Sequence, residues 1–156
     1  MKKLFVSAVL LLITFSAANE PENIVVVVNK SNPVSNISVR NLRRIYLCTK
    51  KKWKDGTSIL LTAHQEGNPI NDRFYNRVIG FDRKRLDGYY SSERMKGRII
   101  AKPIALKGEE FIQDYISRKA GAVGFVEHTA VDTSRVRVIK VNNALPGDKD
   151  YPLKEF

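Results

Sequence analysis

Five consecutive β-branched residues, Ile24-Val25-Val26-Val27-Val28, set the tightest limit on how this chain folds. Successive side chains of a strand point to opposite faces, so a strand with one wet face alternates apolar and polar residues. This run does not alternate. A strand built from it must be covered on both faces, as in the central sheet of an α/β domain. Asn29-Lys30-Ser31-Asn32-Pro33 closes it with turn residues.

The rest of the chain supplies the covering layers. Ser38 can cap a helix whose apolar residues Val39, Leu42, Ile45 and Tyr46 share one face. Thr49 to Gly56 reads as a basic loop, and Ser58 to Ala63 as a second strand. Asn68-Pro69 is a helix start, with Asn as N-cap and Pro at the first helical position. That helix would run to about Ile79, with Ile70, Phe74 and Val78 on its core face and Gly80 as its stop. Asp82 can cap a third helix carrying Leu86, Tyr89 and Tyr90. A fourth is expected over Glu109 to Arg118, with Phe111, Ile112, Tyr115 and Ile116 turned inward. Ala122 to Val126 and Val136 to Val141 complete the set as strands, and an irregular tail follows from about residue 142. Strands alternating with helices predict an α/β domain with a small mixed or parallel sheet flanked by helices. At 156 residues the chain is long enough for about one such domain.

Met1-Lys2-Lys3, an apolar run from Leu4 to Phe15 and small residues at Ser16-Ala17-Ala18 read as a secretory signal peptide over residues 1–18. The run is shorter than the roughly 20 apolar residues that span a bilayer; a retained membrane anchor is the alternative. Cleavage after Ala18 would leave a single domain over 19–156 and send it to the periplasm. The chain is strongly basic, with 27 Lys+Arg against 16 Asp+Glu and a net charge of +11, and the domain without Lys2 and Lys3 would keep +9. One Cys excludes an internal disulfide framework and a Cys-based zinc cluster, and two His leave little for a metal site. Cys48 is expected to be a buried small hydrophobe, the alternative being a free thiol. No metal or cofactor is expected.

Ligands of open α/β sheets sit beyond the carboxyl ends of the strands, which directs attention to His64 to Asn71. A Gly-containing turn feeding a helix N-terminus offers backbone N–H groups and the positive end of the helix dipole to an oxyanion. Gly67, Asn68 and Arg73 fit that use; a plain capped helix is the other reading, and Glu66 would repel an anion unless turned away. Lys50, Lys51, Lys52 and Lys54 around Trp53 read either as nucleic-acid-binding or as a solvated loop with Trp53 packed on the domain. The second is preferred and no nucleic acid is expected, but the four lysines could meet an acidic membrane surface or partner. His64, His128 and Ser91-Ser92 belong to no nucleophile or metal motif, so no enzyme is expected.

The order of motifs resembles the phosphate-type periplasmic substrate-binding proteins. The resemblance rests on Val26-Val27-Val28-Asn29 leading to Asn32-Pro33, then Leu42-Arg43-Arg44-Ile45-Tyr46-Leu47 and Trp53-Lys54-Asp55-Gly56. It continues through Glu66-Gly67-Asn68-Pro69-Ile70-Asn71 and Ala120-Gly121-Ala122-Val123-Gly124-Phe125-Val126. It implies a single lobe of a type II periplasmic-binding-protein-like fold, binding phosphate or a related oxyanion in ABC-type uptake. A membrane transporter, a second lobe or a homodimer would be the partner. The ligand residues it implies are His64, Gly67, Asn68, Ile70, Asn71 and Arg73. Backbone donors would come from Gly67, Ile70 and Asn71, a side-chain donor from Asn68 and long-range charge from Arg73. The family turn carries Ser-Gly-Thr preceded by an Arg; here Asn68, Pro69 and Ile70 stand there, with His64 near the Arg position and Cys48 where Gly is frequent. These departures leave a second expectation, an envelope interaction or regulatory module that has lost its ligand.

Overall fold

The computed structural model describes residues 23–154, so the expected signal peptide lies outside the described residues. The elements in chain order are β1 (Ile24–Asn29), β2 (Asn36–Ile37), α1 (Val39–Tyr46), β3 (Leu60–His64), α2 (Pro69–Val78) and α3 (Arg83–Met95). They continue with β4 (Ile104–Leu106), α4 (Glu109–Arg118), β5 (Ala122–Glu127), β6 (Val136–Val138) and β7 (Lys140–Val141). Five strands form one mixed sheet in the order β4-β3-β5-β1-β6; β2 and β7 pair separately and in parallel. β3 runs parallel to β4 and β5, while β1 runs antiparallel to β5 and β6.

β1 is buried along its whole length, as its composition requires. Ile24, Val26 and Val28 face a core built with α1, α2 and α3, while Val25 and Val27 face Ile112 and Ile116 of α4. Each such side chain removed from water contributes about 1.5–3 kcal/mol, which favours a three-layer arrangement over any that exposes one face. The first core is rich in aromatic rings: Phe74 stacks on Phe125 with centroids 3.8 Å apart, and Tyr46 meets both rings edge-on.

Four details depart from the sequence expectations. Phe111 is 55% exposed, because Ile112 and Ile116 define the inward stripe of α4 and Phe111 lies a step of about 100° off it. Gln113 is buried instead, donating to the carbonyl of Ala130 and accepting from the N–H of Asp132. The last strand is split, since β6 pairs with β1 and β7 turns away to pair with β2. The segment after residue 142 is irregular but not loose: the Leu153 carbonyl accepts from the N–H of Ile24, and the Tyr151 hydroxyl donates to the Ile24 carbonyl.

Candidate functional site

α2 starts directly after β3, and the turn between them carries the candidate residues. Gly67 adopts φ +87°, a conformation that favours glycine, and this lets the chain reverse tightly into the cap. Asn68 is the N-cap, its side-chain oxygen accepting from the N–H of Ile70 at 3.1 Å. Its amide nitrogen reaches back to His64 Nδ1 at 3.2 Å. An amide NH2 only donates, so Nδ1 accepts and the imidazole carries its proton on Nε2. There it donates to the carbonyl of Phe125 at 3.0 Å. Burial pushes the His64 pKa below its ordinary value, which keeps the ring neutral.

Asn71 is buried and joins the turn to the strand. Its side chain accepts from the N–H of His64 at 3.1 Å and donates to the His64 carbonyl at 2.8 Å. The Asn71 N–H donates to the Asn68 carbonyl, and Pro69 has no N–H. The first turn of α2 therefore satisfies its own donors. Gly67 N–H has no partner among the described residues. Arg73 is ion-paired with Glu127 at the end of β5, on the side where Glu109 also lies. Burial, together with the Glu127 charge, pushes the Glu109 carboxyl up to about 7, against the opposing pull of the Glu127 N–H and of Arg73. Its Oε2 lies 3.8 Å from His64 Nε2.

His64 and Asn71 also line a cleft of about 260 Å³ between α2 and α3, over the ends of β3 and β4. Three cations border it: Arg83, Arg94 and Lys102. Arg83 is held by Glu66 at 3.4 Å and Asp72 at 3.2 Å, whereas Arg94 and Lys102 form no ion pair among the described residues. The Ser91 hydroxyl lies on the same wall, and Asp87 is the remaining carboxylate. Neither Arg94 nor Lys102 stood out in the sequence, because the fold alone brings the end of α3 beside the approach to β4. The cleft can receive a small polar or anionic ligand; among the described residues, no group of His, Cys, Asp and Glu could hold a metal ion.

Trp53 is buried, its indole N–H donating to the Gly121 carbonyl at 2.9 Å, so the basic loop is anchored on the domain by its aromatic residue. Cys48 is half-buried rather than buried, and adopts φ +56° at the position where the resembled family frequently has Gly. Among the described residues, no helix is long and apolar enough to cross a membrane.

No protein-family model matches the chain, and no curated protein matches its sequence. Solved structures do match. An ABC-type phosphate transport receptor from Vibrio cholerae superposes with a TM-score of 0.69 at 19% identity, over 85% of this chain and 53% of that one. PstS from Borrelia burgdorferi gives 0.68 at 12% identity, over 86% and 55%. A substrate-binding protein with bound phosphate from Clostridium perfringens gives 0.66 at 19% identity, over 81% and 48%. The chain spans about half the length of these proteins and shares the fold of the part it covers, in this chain a mixed five-stranded sheet with helices on both faces.

Proposed function

We propose that the chain is a binding protein rather than an enzyme, a receptor lobe working outside the cytoplasm and taking a small oxyanion of the phosphate class in the cleft between α2 and α3. Arg94 and Lys102 carry the reading, as cations without ion-pair partners on a concave surface beside the α2 N-terminus. The likeness to phosphate receptors supports it. His64 and Asn71 form part of the wall, and Asn68 and Ile70 hold the cap in shape; Gly67 stands in the turn outside the lining of the cleft. Arg73, paired with Glu127, adds only long-range charge.

Two cations facing water suit a Kd nearer millimolar than micromolar, that is, about 4 rather than about 8 kcal/mol of binding free energy. Tighter capture would need a second wall, from another lobe, a second copy of the chain or a membrane transporter of the ABC type. The test is calorimetric titration with phosphate at fixed ionic strength, with sulfate as control. Saturable heat with phosphate is expected, weakened about tenfold in the Arg94→Ala/Lys102→Ala chain. Asn68→Ala should leave binding nearly unchanged while lowering stability by about 0.5–2 kcal/mol through the lost cap.

A second reading, an envelope interaction module without a small ligand, is favoured by one observation. The side chain of Asn68 and the N–H groups of Ile70 and Asn71 are already engaged inside the protein. Absence of saturable heat up to millimolar phosphate would favour it.

A further inference from the structure

We infer that the α3–β4 connection and the basic loop around Trp53 together form a docking surface for an anionic phospholipid bilayer. Among the described residues, Met95 and Ile100 are the most exposed large apolar residues, at 90% and 94%. Each has cations close by in sequence: Arg94 and Lys96 flank Met95, while Arg98 and Lys102 lie two residues either side of Ile100. The basic loop is joined to this connection. Lys51 Nζ donates to the Arg98 carbonyl at 2.7 Å, and Cys48 Sγ lies 3.9 Å from the Ala101 carbonyl. Between the two segments runs a mostly apolar groove of about 310 Å³, lined among others by Ile59, Leu61, Ile100 and Ile104 and rimmed by Lys50, Lys51 and Lys102. Over residues 49–56 and 93–102 the chain carries eight cations against two carboxylates, Asp55 and Glu93. Glu93 is itself bridged by Lys96 and Arg98.

The chemistry favours lipid over protein. Apolar tips among long cationic side chains can enter the headgroup region while the charges stay at its anionic surface. The cores of protein interfaces are depleted in Lys and enriched in aromatic anchors, whereas this patch is rich in Lys and its one nearby indole, Trp53, is buried. Arg94 and Lys102 also border the oxyanion cleft, but Met95 and Ile100 do not line it, so replacing these two tests the surface separately.

Flotation of the full chain with vesicles tests it, comparing phosphatidylcholine alone with phosphatidylcholine plus phosphatidylglycerol in phosphate-free buffer. Binding to the anionic vesicles is expected, falling as salt is raised and about tenfold weaker on neutral ones. A Met95→Ser/Ile100→Ser chain should bind the anionic vesicles about tenfold more weakly, and Lys50→Gln/Lys96→Gln should weaken binding at low salt and flatten its dependence on salt. All variants keep the same N-terminus, so any contribution of the apolar run at residues 4–15 is common to them. Met95, Lys96 and Ile100 are exposed and Lys50 is half-buried, and circular dichroism verifies that each variant is folded. Equal binding by the Met95→Ser/Ile100→Ser chain, or equal binding to both vesicle types, would overturn the proposal. So would salt-sensitive capture of an acidic protein with no vesicle binding, which would assign the patch to a protein partner.

Discussion

The Glu109 carboxyl is a partly buried group whose charge state is coupled to folding. Unfolded, it titrates near 4.5; folded, burial and the neighbouring Glu127 raise it to about 7. Between those values the folded chain binds more protons than the unfolded one, so this group's contribution to stability is complete below pH 4.5 and is lost as pH rises through 7. His64 acts in the opposite sense. Its folded pKa is depressed, so its contribution is present above 6.5 and falls away as pH drops through the lowered value. Arg73 limits the first effect, and the hydrogen bond to the Phe125 carbonyl limits the second. Glu109→Gln is therefore expected to raise stability by about 1–3 kcal/mol at pH 8 and to change it little at pH 4.5. Urea melts at the two pH values measure this; equal shifts at both would remove the charge explanation. Cys48 makes a different point at the same scale. A left-handed backbone is easiest for glycine, and a cysteine there is a local departure that the half-buried site tolerates.

The helices follow local chemistry closely. Ser38, Asn68 and Asp82 each accept a backbone N–H at the cap they announce in the sequence. α4 begins and ends where its charges and apolar spacing place it. Strands are less legible. β2 has two residues and β4 three, too short for alternation to register, and β4 is a largely exposed edge. The β3–β5 contact depends on Gly124, a glycine that the motif at residues 120–126 contains but for which alternation gives no reason. A Cβ at Gly124 would lie 2.3 Å from Thr62 Oγ1 and 2.9 Å from Ile116 Cδ1. Gly124→Ala should cost about 1–3 kcal/mol by forcing the sheet from α4, read as a lower urea midpoint with an unchanged slope.

At the scale of the whole molecule, the C-terminal segment closes the fold by holding the first residues of β1. Leu153 is fully buried in the core shared with α1, α2 and α3. Leu153→Ala is expected to destabilise the entire domain by about 2–5 kcal/mol in one cooperative transition. A separate early transition confined to the tail would contradict its role as part of the core. The sequence by itself determined the layers and the helix starts, because burial on both faces of β1 and capping at Asn68 depend on residues close together in the chain. Tertiary structure alone decided that β1 lies antiparallel to its neighbours and that the cap at α2 is satisfied internally. It also decided that Arg94 and Lys102 share a cleft. Each of these depends on partners distant in sequence, as when His64 reaches the Phe125 carbonyl across 61 positions, and no local pattern records such a meeting.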